Sequence, residues 1–295
     1  MTNYDQCPTE MMAKINKIFI NETNEIYKVY EWLMERPDIL SNKILNNGLI
    51  EWGRPFEKVL VDSMAFVNVV KSAESSQNLV SILLAGSANA GKTALAVKLA
   101  CESNFQFFRL SLPENILGLT ETAKCMHIRK VFEEAYKRTE SCILVDDIED
   151  LVEYCDIGAG YSNPVLQALR LLLKKKPPTG RKLLIVCTTS RRDALDQMNL
   201  LTSFTTVITV PNLTKSEHLV QVLSNLTETN NNGNSVCFDG SEISCIAKTI
   251  FQWPLSIGIK KLLALIDWAR QIDPSIRVTK FLAKLEKDMA IISGE

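Results

Sequence analysis

The stretch "AGSANAGKTALA", residues 85–96, decides how this chain folds. It fits the pattern G-x-x-x-x-G-K-[ST] as Gly86, Ser87, Ala88, Asn89, Ala90, Gly91, Lys92 and Thr93. A loop of this kind wraps phosphate oxygens with backbone N–H groups, aided by the positive end of the helix that follows. Its lysine supplies charge and its threonine a magnesium ligand. So short a pattern also arises by chance, and its surroundings have to carry the reading. An apolar strand-like run, "VSILLA" at 80–85, leads in, and the spacing predicts a helix from Lys92 to about Ser103.

Such a loop needs an acidic partner for the magnesium water shell, expected at the end of a strand beside the first. "CILVDD" (142–147), about fifty residues downstream, offers Asp146 for the metal and Asp147 where a water-activating carboxylate stands. An acidic helix cap at a strand end would leave the same letters but does not explain the partnership with the loop.

Working outward, strand-like runs at "FQFFRL" (105–110), "CILVDD", "KLLIVC" (182–187) and "TTVITV" (205–210) alternate with helical patterns at about 122–137 and 163–173. Alternation of this length predicts an α/β fold, a five-stranded parallel sheet with helices on both faces. Beyond Pro211 the pattern turns purely helical, in "KSEHLVQVLSN", "SEISCIAKTI", "LSIGIKKLLALIDWARQI" and "VTKFLAKLEKDMAII", with "TETNNNGN" (227–234) as the clearest loop. Residues 9–46 carry helical periodicity broken by Pro37. The expected division is a helical lead-in over 1–46, an α/β nucleotide-binding domain over 47–211 and a small α-helical lid over 212–295.

The 295 residues carry 33 basic and 34 acidic side chains, a balance that excludes a chain built to coat nucleic acid or bare anionic membrane. No apolar run approaches the roughly 20 residues of a membrane span, so direct insertion is not expected. Eight scattered cysteines without a C-x-x-C pair read as reduced thiols of a cytosolic protein. In that setting the sequons at Asn21, Asn212 and Asn225 are coincidences of spelling.

A GTPase would add Asn-Lys-x-Asp after the loop; the Asn-Lys pairs, at Asn16 and Asn42, precede it and lack the aspartate. The helical tail and "CTTSRRD" after the acidic strand are instead similar to the AAA+ plan. The chain resembles one family closely, the N-ethylmaleimide-sensitive fusion factors, hexameric AAA+ ATPases that take SNARE complexes apart, and in particular their second ATPase domain. The resemblance rests on "NGLIEWG" (47–53), "GKTALA", "ESNFQF", "ETAKC", "VDDIEDLVEY", "SNPVLQALRLLLKKKPPTGRKLLIVCTTSRRD", "VPNLT" and "IGIKKLLALI", across roughly residues 40–290.

The resemblance implies ATP and Mg²⁺ as cofactors and assigns roles by position. Asn47, Gly48, Leu49, Ile50, Glu51 and Trp52 lie against adenine; Ala88, Asn89, Ala90, Gly91, Lys92, Thr93, Ala94 and Leu95 form the phosphate loop. Thr93 and Asp146 serve the metal, while Lys92, Asp147 and Ser190, the last at the sensor after the fourth strand, serve catalysis. Lys260 falls at the lid's γ-phosphate sensor, and Lys174 and Lys182 match lysines that face a neighbouring subunit's nucleotide. It implies a hexameric ring, of this chain alone or mixed with full-length relatives, and a possible SNARE or adaptor complex. No room is expected for the family's adaptor-binding domain or first ATPase domain.

Weak hydrolysis is expected. Asp147 is a methylene shorter than the usual glutamate, and Leu200 and Ser203 stand where working members place arginine fingers, a loss of orders of magnitude in rate. "NILGLT" offers Ile116, Leu117 and Gly118 as a pore grip without its aromatic residue. Ser87 and Ala88 replace the family's Pro-Pro, which is expected to loosen the loop, and Ala90 replaces the cysteine that reacts with maleimide in the first domain. Two readings stay open, a slow ATPase of vesicle transport and a non-catalytic, ATP-dependent assembly module; a fragmentary or decayed gene copy is a third.

Overall fold

The computed structural model describes residues 49–72, 76–111, 118–156, 158, 160–229 and 238–293. The expected lead-in over 1–46, the adenine-segment residues Asn47 and Gly48, and the pore positions Ile116 and Leu117 lie outside the described residues.

The chain runs α1 (Arg54–Lys71), β1 (Leu79–Ala85), α2 (Lys92–Ser103), β2 (Phe107–Ser111), α3 (Glu121–Tyr136), β3 (Glu140–Val145), α4 (Ile148–Leu151), α5 (Asn163–Lys174), β4 (Lys182–Thr189), α6 (Arg192–Gln197) and β5 (Thr206–Thr209). Four further helices follow: α7 (Ser216–Thr229), α8 (Gly240–Ile250), α9 (Ile259–Arg270) and α10 (Pro274–Ser293). The five strands form one parallel sheet in the order β2-β3-β4-β1-β5.

Contrary to the expectation from sequence, the acidic strand does not lie beside the first: β4 is inserted between β1 and β3. Both central strands are buried on two faces, which is why β1 and β4 read as unbroken apolar runs.

Strand alternation sorts the core into two layers. Val80, Ile82, Leu84, Leu184 and Val186 face α1 and α2, in one cluster that continues into the terminal helices through Ile257, Leu262 and Phe281. Leu83, Ile143, Ile185 and Cys187 face α3 and α5. Helix α1 was not anticipated from the sequence. Its stripe Phe56, Val59, Ser63, Val67 and Val70 recurs every three or four residues, and a proline opens its first turn.

Past Pro211 the only strand-like feature among the described residues is a single bridge between Leu213 and Ile257. Helix α7 outlasts its expected end and runs to Thr229, and α8 is opened by a capping box between Asp239 and Glu242.

Candidate nucleotide site

The loop leaves β1 at Ala85 and turns into α2 at Gly91, whose φ of +93° is the left-handed conformation that glycine reaches without steric cost. Gly91 has no capping side chain, so the first-turn N–H groups of α2 keep their donors for a ligand. Ala88 and Asn89 are exposed, Ala90 and Leu95 are buried, and Thr93 and Ala94 are half-buried. Leu95 contributes its side chain to the core, leaving only its backbone to the site.

Lys92 is held from two sides. Its Nζ donates to the Ser87 carbonyl at 2.8 Å and to Ser190 Oγ at 3.0 Å. Burial pulls the pKa of this ammonium below the ordinary lysine value; Asp147, Glu149 and Asp146 push it back up, and Lys260 adds to the lowering. A cation fixed above the loop with three carboxylates around it suits a site that receives both phosphate and a divalent ion.

The acidic end of β3 reaches the loop across β4. Thr93 Oγ1 donates to Asp146 Oδ2 at 3.2 Å, and Asp146 Oδ1 accepts from Thr188 Oγ1 at 2.6 Å. Thr188 Oγ1 also accepts from the Asp147 N–H at 2.9 Å. Thr188, at the end of the inserted strand, thereby joins the two aspartates, and sequence reading missed it.

Asp147 sits at φ +44°, ψ +65°, a left-handed conformation rare for a residue with a side chain. Burial, with Asp146 and Glu149 nearby, raises its carboxyl to about 6 against the opposing pull of Lys92.

Glu149 is the second residue that sequence reading missed. It is buried, its Oε1 accepts the Ser190 N–H at 2.7 Å, and its Oε2 has no hydrogen-bond partner among the described residues. The signal lay in "VDDIED", whose fifth letter falls in the first turn of α4.

The helical tail closes on the loop. The Lys260 N–H donates to the Asn89 carbonyl at 3.0 Å, which puts the first turn of α9 over the phosphate loop. A Cβ on Gly258 would lie 2.6 Å from that same carbonyl, so only glycine permits this approach.

In the segment expected to lie against adenine, Leu49 and Ile50 pack on the core and Glu51 is exposed. The Trp52 ring is fully buried against His218 and Phe56, at 5.2 and 5.8 Å between centroids. Asn225 Nδ2 donates to the Glu51 carbonyl at 2.9 Å, fastening this segment to α7.

Two predicted residues are not brought to this site. Lys182 opens β4 and Lys174 ends α5, at the opposite edge of the sheet; eight residues of strand separate Lys182 from the loop side, roughly 23 Å at strand rise. Lys182 Nζ is engaged there with the Lys71 carbonyl at 2.6 Å and Glu140 at 3.8 Å. Leu200 and Ser203 are buried beside the same edge.

A glycine loop on β1, an acidic β3 end delivered across an inserted β4, and a helical lid resting on the loop define a AAA-type P-loop protein. Residues 82–212 match the family described as "ATPase family associated with various cellular activities", and residues 212–288 match the NSF AAA+ ATPase lid domain. The chain belongs to the AAA+ ATPases, in the branch that carries this lid.

Among its relatives, the vesicle-fusing ATPase of Dictyostelium discoideum is 39% identical over 225 residues, 76% of this chain and 29% of that protein. The vesicle-fusing ATPase of Caenorhabditis elegans is 35% identical over 256 residues, 85% of this chain and 30% of that protein. The vesicular-fusion protein sec18 of Schizosaccharomyces pombe is 33% identical over 266 residues, 88% and 32%. The chain thus spans about a third of the length of these relatives.

Proposed function

We propose that this chain corresponds to the second ATPase domain of the vesicle-fusing ATPases, binds Mg·ATP at the loop and uses it chiefly to hold a ring together. The observation that carries this reading is Lys92, held between the Ser87 carbonyl and Ser190 Oγ beside the Thr93–Asp146 pair. These residues fit the ligand: a fixed cation and first-turn N–H groups for phosphate, a hydroxyl and carboxylate for the metal. The bound nucleotide supplies the phosphoryl group and the metal its counter-charge. Lys92 orients phosphate, Asp146 and Thr93 hold the metal's shell, Ser190 fixes Lys92, and Asp147 accepts a proton from attacking water. Residues 47–211 form the nucleotide-binding domain, 212–295 the lid and 1–46 a helical lead-in.

Turnover is slow. Asp147 is short and half-protonated near pH 6, and the finger positions Leu200 and Ser203 are buried and not cationic. Lys174 and Lys182, at the far edge, face a neighbour's nucleotide in the ring as point charges. Those finger positions also favour the second reading, a non-catalytic assembly module. Among the described residues no helix is long and apolar enough to cross a membrane. The vesicle-fusing relatives support a cytoplasmic chain that meets vesicle or Golgi membranes and SNARE complexes through partners.

Light scattering after size exclusion tests the shared core: mass is expected to rise with ATP and not in Lys92→Ala, and an ATP-independent mass sinks both readings. Steady-state turnover separates them, since a rate near zero that full-length relatives fail to stimulate leaves only the assembly module.

A further inference from the structure

Asn212 falls where the two family matches meet, residues 82–212 and 212–288. Its amide has both ends engaged. Oδ1 accepts from Ser87 Oγ at 2.5 Å, and Nδ2 donates to Ser256 Oγ at 3.3 Å. Ser87 belongs to the phosphate loop; Ser256 belongs to the segment entering α9, two residues before Gly258. The same segment is fixed to the junction by the Leu213–Ile257 pair, with reciprocal N–H···O bonds of 2.9 and 3.1 Å. The Ser87 carbonyl meanwhile accepts from Lys92 Nζ, so one serine holds the loop's cation through its backbone and the lid through its side chain.

We propose that Ser87, Asn212 and Ser256 form a positioning relay that seats the lid on the phosphate loop, so that the loop and α9 move as one unit and the loop is shaped for phosphate before nucleotide arrives. A proline at position 87 would have no hydroxyl to give. The serine therefore does not loosen the loop, as sequence alone led one to expect, because its hydroxyl replaces ring rigidity with a tether across the junction. The relay rests on the nucleotide-binding reading only for its consequence, slower loss of bound ligand. The tether itself is independent of that reading.

The test uses the full chain without nucleotide and follows hydrogen exchange at the Lys260 amide, whose bond to Asn89 reports lid seating. Ser87→Ala and Asn212→Ala are each expected to speed exchange there about 3- to 10-fold, the scale of one net hydrogen bond. The double variant should be no faster than the faster single variant, and Ser87→Thr, which keeps the hydroxyl, should stay near wild type. Because the same bond belongs to the native state, the urea midpoint of Ser87→Ala should fall by no more than one net hydrogen bond accounts for, and Ser87→Thr should restore it. With a fluorescent ATP analogue, Ser87→Ala should raise the dissociation rate by the same factor. Unchanged Lys260 exchange in Ser87→Ala, or strictly additive effects in the double variant, overturns the relay. If Lys92→Ala leaves analogue binding intact, the nucleotide reading falls instead, while the exchange result still decides the relay.

Discussion

Asp147 concentrates the site's electrostatics. Its carboxyl titrates at about 6 in the fold and at the ordinary 3.8 in the unfolded chain, so the native state is the better proton acceptor. The stability this contributes is complete below pH 4 and is lost as pH rises through about 6. In metal-free, nucleotide-free protein, Asp147→Asn is therefore expected to gain about 1 kcal/mol at pH 7.5, after allowing for partial solvent screening, and nothing near pH 4. Urea unfolding at the two pH values checks the sign; an equal gain at both refutes it. Hydrolysis, where it occurs, should disappear in the same variant.

Thr188 carries a different load, because its hydroxyl joins Asp146 to the Asp147 backbone. Thr188→Val keeps shape but strands both partners, at a cost of about 1–3 kcal/mol. Nucleotide affinity should fall with it, measurable by calorimetry against the same variant's unfolding curve.

Among elements, the lid contact is the most exacting. Gly258 has an ordinary extended backbone, φ −74° and ψ 144°, so its glycine is required only by the Asn89 carbonyl against it. Gly258→Ala should force α9 off the loop, weakening analogue binding about tenfold or more while the unfolding free energy from urea titration falls by about 1–3 kcal/mol. A variant with wild-type affinity would show that the lid does not bear on the loop.

The inner strands β1, β3 and β4 were legible in the sequence because burial on both faces leaves apolar runs, and α2 because Gly-Lys-Thr marks its start. The lid helices were legible through their Asp-Pro and Asn/Gly breaks. Helix α1 escaped although its stripe is regular, since no motif drew attention to it. The neighbours of β3 escaped for a different reason: strand order is a long-range property with no local signature.

At the scale of the molecule, the apolar layer beneath α1 and α2 continues without a break into α8, α9 and α10. The lid is thus an extension of one face of the sheet and should unfold with it, giving a single urea transition by far-UV circular dichroism and tryptophan fluorescence. The thiols sort by the same layers. Cys142 and Cys187 are fully buried, with pKa values pushed well up by desolvation, while Cys155 and Cys245 are exposed. Among the described cysteines, N-ethylmaleimide should label those last two first by mass spectrometry and leave analogue binding intact, since Ala90 gives the loop nothing to alkylate.

Sequence by itself determined the loop, its lysine and threonine, the paired aspartates, the five strands and the helical tail, because each is written in a local pattern of spacing or side-chain chemistry. Only the tertiary structure decided that β4 separates the loop strand from the acidic strand, and that Thr188 and Glu149 bridge the gap. It also decided that Lys174 and Lys182 lie at the sheet's far edge, and that Asn212 links loop to lid. These are facts of strand order and of approach between residues far apart in the chain, and no local pattern encodes them.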